Sequence, residues 1–384
     1  MIGVISDDLT GAAELGAVGL RYGLPAEILA GGEPSGKAEL VCADTSSRSC
    51  PPEEAARRAA SVAKQLQACG VRWIYKKVDS VLRGQVMAEV EGVMKELHLD
   101  LAVVVPANPL LGRVVRNGRC YVRGKPIDET EFANDPEYPR KSSVILDLLR
   151  RPDGIPAQVL ASAAKLPASG IVIGEASAPA DLQRWASVRN PRTLAGGGAE
   201  YFAALLAAEG HKAANPPESQ PASAPQPELF ICGSASESSC AFASEAQARG
   251  TPVISLPETL AQNGDWPAEA LEAVITKVKE NLRIQSRVIL NVGLRVVPNK
   301  AVAARLLNAL GEVAEQVLRQ TKAGRVFAEG GSTAAELVRR MGWKRLKVLK
   351  EEGRGVVTLS PEGAGELLLT MKPGSYVWPA KWTG

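Results

Sequence analysis

Short apolar runs alternate with amphipathic helical stretches along most of the chain, and this alternation constrains the fold more than any other feature. Residues 2–5, 40–43, 73–78 and 101–105 read as strands, with helices over 10–21, 52–68 and 86–97 between them. A strand that is apolar on both faces must be covered on both. Strands spaced by helices pair in parallel, so the pattern predicts an α/β fold of βαβ units around mainly parallel sheets. The alternation stops at residues 211–228, HKAANPPESQPASAPQPE, where Pro, Ser, Ala and Gln dominate. Such a stretch has almost nothing to bury and reads as a linker. A second series follows, with strands at 229–232, 253–256, 287–292 and 325–328 and helices at 236–249, 267–282, 300–321 and 333–342. The expectation is two α/β domains, 1–210 and 229–384, joined by a Pro/Ser/Ala-rich linker. A chain of 384 residues agrees with that division.

Charge and composition exclude several function classes. Lys and Arg total 45 against 42 Asp and Glu, a formal charge of +3. This near balance gives no long-range attraction to nucleic acid or an anionic membrane. Aromatics are only 4%, too few for base-stacking platforms. Two histidines and six cysteines without a CxxC pair offer no zinc spacing. The cysteines read as reduced thiols, the first residues lack a signal-peptide pattern, and no apolar run approaches the ~20 residues of a membrane span. A cytoplasmic location is the expectation.

Chemistry-bearing residues cluster after the strands. Asp7 and Asp8 follow the first strand directly, where open α/β sheets bind ligands. Adjacent carboxylates there suit binding hydroxyls, holding a cation or accepting a proton, while the plainer role is a helix cap. The segment 76–84, KKVDSVLRG, brings Lys77, Asp79, Ser80 and Arg83 to another strand end. Arg offers a planar fork for a carboxylate and Lys a point charge. The alternative is an internal Asp–Arg pair. Arg48 follows the strand carrying Asp44. Residues 106–136 form a long polar excursion with a hairpin near 121–126, either a lid or ordinary turns.

Anion-binding turns are sorted by what surrounds them. GGEPSGK at 31–37 resembles part of a P-loop, but Ala38 replaces the Ser or Thr and a strand follows, so it is rejected. Gly196-Gly197-Gly198 is a weak signal because no convincing strand precedes it. Gly330-Gly331-Ser332-Thr333 follows a strand and opens a helix, as does Gly233-Ser234-Ala235-Ser236. Both point backbone N–H groups where phosphates would sit. The alternative is a pair of ordinary helix caps. No GxGxxG follows the first strand, which argues against a nicotinamide dehydrogenase.

Together, DDLTGA at 7–12, KKVDSVLRG at 76–84 and GR…NG…YVRGKPIDETEFANDP over 112–136 resemble the four-carbon acid sugar kinase family, formerly a domain of unknown function. The resemblance spans nearly the whole chain. It implies a sugar-binding N-terminal domain, a nucleotide-binding C-terminal domain, and phosphorylation by MgATP of a tetronate such as threonate, erythronate or a 3-oxo-tetronate. By the same resemblance, Asp7, Asp8, Arg48, Lys77, Asp79 and Arg83 line the acid-sugar site, with Asp8 or Asp79 as base. Ser234, Ser236, Gly330, Gly331, Ser332, Thr333 and Gly374 hold the nucleotide. ATP and Mg2+ are the implied cofactors, and a homo-oligomer is compatible with the pattern. Val81, Gln85 and Ser332 depart from the family's usual Thr, Asn and acidic residue. They motivate the alternative of a degenerate kinase acting as a non-catalytic sugar-acid or nucleotide sensor.

Overall fold

The computed structural model describes residues 1–135, 137–149, 154–163, 165–214, 227–258, 268–293, 300–374 and 376–383. The chain divides into two compact units, Met1–Asn215 and Pro216–Gly384. Most of the expected linker, residues 215–226, lies outside the described residues.

The first unit runs β1 (Ile2–Ser6), α1 (Leu9–Arg21), β2 (Ala26–Leu29), β3 (Leu40–Asp44), α2 (Pro52–Ala68), β4 (Ile74–Lys77), α3 (Val86–Glu96) and β5 (Leu101–Val105). A small antiparallel sheet follows, β6 (Arg113–Arg116), β7 (Arg119–Val122) and β8 (Lys125–Pro126), where a hairpin is expected. Then come α4 (Ile145–Leu148), β9 (Ala157–Leu160), β10 (Gly170–Gly174), α5 (Pro179–Ser187), β11 (Thr193–Gly197) and α6 (Ala199–Ala208). The main sheet of this unit has the order β2-β3-β1-β4-β11-β5-β10-β9, every neighbouring pair parallel. Its strands are fully buried at Val4, Ile5, Ile28, Val41, Tyr75 and Val104, as continuous apolar runs require. Helix α2 turns Ala55, Ala59, Ala63 and Leu66 inward, a stripe of helical spacing that leaves its charged face outside. The chain adds β2 and β3 on one side of β1 and then crosses to β4 on the other. That reversal opens a crevice at the carboxyl ends of β1 and β4.

The structure corrects one sequence expectation. A strand does precede Gly196-Gly197-Gly198: β11 lies inside the sheet between β4 and β5. Glycine has little strand propensity, which hides the element in the sequence. Here it is needed, because Gly197 has φ 145° and a Cβ on it would fall 2.1 Å from the Val105 carbonyl oxygen. The GGEPSGK stretch lies between β2 and β3 with no helix after it, in keeping with its rejection.

The second unit contains β12 (Glu228–Cys232), α7 (Glu237–Ala248), β13 (Val253–Ser255), α8 (Ala268–Ile284), β14 (Arg287–Asn291), α9 (Lys300–Gln320), β15 (Arg325–Glu329), α10 (Gly331–Met341), β16 (Arg345–Gly353), β17 (Val356–Pro361), β18 (Leu368–Lys372) and α11 (Ala380–Thr383). Its strands are ordered β13-β14-β12-β15-β18-β17-β16, parallel from β13 to β18 and antiparallel beyond. Phe230 and Phe327 stack at 4.0 Å, and Trp378 meets both rings edge-on, giving the sheet an aromatic core. The chain passes from β14 over β12 to β15, so this unit too has a reversal, at the carboxyl ends of β12 and β15. Among the described residues no helix is long and apolar enough to cross a membrane.

Candidate functional site

The crevice of the first unit is lined by locked ion pairs. Asp7, the residue after β1, accepts two hydrogen bonds from Arg48, Nε to Oδ2 at 2.7 Å and Nη2 to Oδ1 at 2.9 Å. The third nitrogen of Arg48 lies 2.8 Å from Asp8 Oδ2. Burial pushes the Asp7 carboxyl up, but the guanidinium more than reverses this and holds it below the ordinary carboxylate value. Asp8 also caps α1, accepting from the Gly11 N–H at 2.8 Å and from the Thr10 hydroxyl. The plain reading of Asp8 as a cap is therefore true, yet its carboxylate also faces Arg48.

Across the crevice, the turn after β4 repeats the device. Asp79 accepts two bonds from Arg83, Nε to Oδ2 at 3.1 Å and Nη2 to Oδ1 at 2.9 Å, and two more from the N–H groups of Val81 and Arg83. Burial raises its pKa, and Arg83 with Arg48 outweighs that to leave it well below the ordinary value. Arg83 keeps Nη1 3.7 Å from Asp135, beyond hydrogen-bonding distance, and 32% of its side chain is exposed. Lys77 is turned to Glu14 at 3.3 Å and to the Val78 carbonyl at 3.0 Å. The structure thus brings Asp7, Asp8, Arg48, Asp79 and Arg83 to one crevice, with Lys77 at its α1 wall.

Sequence reasoning missed the groups behind this crevice. Lys76 and Glu89 form a fully buried pair at 3.1 Å, and Ser47 donates to Glu89. Ser47 and Arg48 both donate their backbone N–H groups to the Asp7 carbonyl. The pair therefore anchors the loop that presents Arg48. Burial raises the Glu89 pKa against the pull of Lys76. A lysine at a strand end reads as solvated, so only its neighbour Lys77 attracted notice. The polar excursion also returns to the crevice. Tyr138 donates to the Arg48 carbonyl, Arg140 to the Leu82 carbonyl at 3.0 Å, and Arg113 to Ser80 Oγ at 2.6 Å.

In the second unit the three glycine turns converge. Gly330 has φ 100°, and a Cβ on Gly233 would lie 2.0 Å from Thr333 Oγ1. The turn after β12 and the turn after β15 are therefore packed backbone against side chain with no room for even a methyl group. A Cβ on Gly374 would lie 3.5 Å from Ser234 and 3.8 Å from Gly330 Cα. Ser236 caps α7, accepting from the Ser239 N–H at 3.3 Å. Beneath the turns sits a charged pair that the sequence did not signal. Glu329 and Lys372 are paired at 3.1 Å, both side chains 1% exposed, and the Trp378 indole donates to Glu329 at 3.1 Å. Lys372 also accepts from the Gly330 N–H through its carbonyl. Two of the turns are thus joined at their roots, and Gly331 opens α10 with unpaired N–H groups and the positive end of the helix dipole. Among the described residues no group of three or more His, Cys, Asp or Glu side chains gathers as a metal cage.

Comparison with known proteins follows the same division. A family model for a sugar-binding N-terminal domain matches residues 2–205, and one for a nucleotide-binding C-terminal domain matches residues 229–376. The D-threonate kinase of Salmonella typhimurium is 26% identical over 379 residues, covering 91% of this chain and 88% of its own. The 3-oxo-tetronate kinase of Methylobacterium radiotolerans is 26% identical over 413 residues, covering 98% and 96%. A solved chain from Salmonella typhimurium LT2 superposes with a TM-score of 0.81 at 19% identity, covering 100% of this chain and 97% of that one, and shares the fold. With both domain models matched in order along one chain, the protein belongs to the four-carbon acid sugar kinase family, a family of carbohydrate kinases.

Proposed function

We propose that this chain transfers the γ-phosphoryl group of ATP to a hydroxyl of a four-carbon acid sugar of the threonate, erythronate or 3-oxo-tetronate type. One observation carries the reading: a single chain holds two strand-end sites of opposite chemistry. One is built of guanidinium and carboxylate side chains, the other of glycine turns and hydroxyls. The first suits a small ligand that is both acidic and rich in hydroxyls. Arg83 has an open edge for the substrate carboxylate, Arg48 and Lys77 add positive charge, and Asp7, Asp8 and Asp79 are acceptors for hydroxyls. The second suits a triphosphate, held by N–H groups of the 330–333 turn and the hydroxyls of Ser234, Ser236, Ser332 and Thr333, with Gly374 closing the third side.

A magnesium ion arriving on the phosphates of ATP would find the hydroxyls of Ser234, Ser236, Ser332 and Thr333 on these turns as its nearest protein partners. Bound with ATP, that ion would neutralise charge on the transferring group. The protein's part is positioning and charge stabilisation, which supply most of the catalysis in phosphoryl transfer. Residues 211–228 would serve as the tether between the domains, and the cytoplasm would be the place of action. The relatives act on different acids at equal identity, so similarity supports the class of substrate and leaves its identity to experiment. The test is ATP consumption by the purified chain with D-threonate, D-erythronate and a 3-oxo-tetronate in turn. Turnover with at least one supports the reading. Binding of an acid without turnover would move the chain to the sensor class.

A further inference from the structure

Proton transfer in this crevice needs a carboxylate that is free to take a proton, and the geometry withdraws three of the four at the β1–β3–β4 strand ends. Asp7 is held in the Arg48 fork. Asp79 is held in the Arg83 fork with two backbone donors added. Asp8 is shared among Arg48, Thr10 and the first turn of α1. Asp7 and Asp79 are thereby stabilised in their charged forms, which makes them weak bases, and the oxygens of Asp8 are already engaged by three donors.

The fourth is Asp44, the last residue of β3, in register beside Ser6 at the end of β1. The chain after it runs along the Asp7 segment: Thr45 donates to the Ser6 carbonyl through both N–H and hydroxyl, and Ser47 and Arg48 donate to the Asp7 carbonyl. Asp44 is half-buried, and its two hydrogen bonds come from Ser46, from N–H to Oδ1 at 2.7 Å and from Oγ to Oδ2 at 2.8 Å. Neither donor is a cation. The charged groups that face it are Asp7 and Asp8 from the end of β1 and Arg58 from α2. Arg58 spends its guanidinium on Glu54 and on the carbonyls of Thr45 and Ser46.

Resting on the kinase reading, we infer that Asp44 is the base that accepts the proton of the phosphorylated hydroxyl. In that step the substrate oxygen forms a bond to the γ-phosphorus of ATP. The bond from that phosphorus to the β,γ-bridging oxygen breaks, its electron pair leaves with ADP, and the hydroxyl proton passes to the Asp44 carboxylate, later to water. The environment agrees with the role. Burial pushes this carboxyl up to about 7, against the two Ser46 hydrogen bonds and with Asp8 and Asp7 adding to the rise. A base poised near neutral pH, beside an Asp7 pushed the other way, is the division of labour that acid–base catalysis requires.

Steady-state kinetics of wild type, Asp44→Asn and Ser46→Ala against pH, with the acid that wild type turns over, decide the matter. The wild-type rate should fall on the acid side of about pH 7 as Asp44 takes up its proton. Asp44→Asn should lower kcat about 100-fold or more, leave KM for both substrates within about threefold, and erase the acid limb from the remaining activity. Ser46→Ala removes a hydrogen bond that favours the charged form, so the limb should move to higher pH. This variant keeps the carboxylate and serves even if Asp44→Asn fails to fold. An Asp44→Asn enzyme with wild-type kcat and acid limb, or a Ser46→Ala limb that stays in place, overturns this inference alone. A wild-type chain that consumes no ATP with any of the three acids overturns the kinase reading and this inference with it.

Discussion

The two units solve one geometric problem in two ways. Each has its candidate site where the strand order reverses, at the carboxyl ends of two adjacent parallel strands. The first unit fills that place with long charged side chains, locked in pairs. The second leaves it to the backbone, with glycines bringing N–H groups and hydroxyls together and the Glu329–Lys372 pair sunk beneath. The difference teaches what each proposed ligand would demand. A small acid with several hydroxyls must be read group by group, which takes side chains with directional forks. A triphosphate presents spread-out charge that any well-aimed set of N–H groups can hold, provided nothing bulky intervenes.

If that contrast is right, the largest effect belongs to the smallest change. Gly233→Ala should weaken ATP binding by about 100-fold or more, some 3 kcal/mol, because the added methyl cannot coexist with Thr333. Titration calorimetry should show acid-sugar affinity unaltered, and unaltered ATP binding would break the comparison. Next, Arg83→Ala should lower acid-sugar affinity by about 10- to 150-fold, the worth of a charge-assisted hydrogen bond of about 1.5–3 kcal/mol. It should also lower the melting temperature of the first unit, since Asp79 would stay buried without its partner. ATP affinity is the internal control.

The units should also diverge with pH. Asp7 and Asp79 titrate lower folded than unfolded, so their stabilisation is complete above the unfolded carboxylate value of about 3.9 and disappears as pH falls through the folded values. Lys372 is the opposite case: burial depresses its folded pKa although Glu329 opposes the shift. The unfolded chain then binds that proton more tightly, so Lys372 by itself adds stability as pH rises from its folded value toward about 10.4, while buried Cys232, whose pKa is raised, removes stability above the unfolded thiol value of about 8.5. Calorimetric scans should show the first unit losing more stability than the second as pH falls through the acid range; transitions that move together would refute the assignment. The smallest effect is expected at the exposed Arg57–Glu54 pair. Arg57→Ala should cost about 0.5 kcal/mol or less in denaturant titration and leave both affinities alone, marking how much of an ion pair's value comes from burial.

The regular parts of the fold were legible because a buried parallel strand is a continuous apolar run and an amphipathic helix repeats on its own period. Thus β1, β3, β5, α2 and the strands β12, β14 and β15 fall within a residue or two of expectation. The strand β11 was hidden because close backbone approach replaced apolar side chains with Gly196 and Gly197. In the site, Asp7, Asp79 and Arg83 stood out as polar residues just past strands, Arg48 entered through the family resemblance, and the internal Asp79–Arg83 pair weighed as the plainer alternative is present. Lys76, Glu89, Glu329 and Lys372 did not stand out, because a charged residue in sequence carries no mark of whether water or a buried partner will neutralise it. Asp44 lay in plain view at a strand end. What distinguishes it is that its carboxylate is bonded by Ser46 while the nearby Arg58 turns to Glu54 and to backbone carbonyls, and that is decided by residues distant in sequence.

The Trp378 indole, bonded to Glu329 with the Lys372 ammonium 5.1 Å from its ring centroid, sits directly under the turn that begins at Gly330. An indole held between two full charges has its excited state tuned by their field. A ligand bound at the Gly330 segment would reach that field through the hydrogen bond from the Gly330 N–H to the Lys372 carbonyl. The second unit therefore carries a native indole at the root of its candidate anion site, and with its neighbour Trp382, 5.9 Å away, replaced by Phe its emission would report on that site without any label.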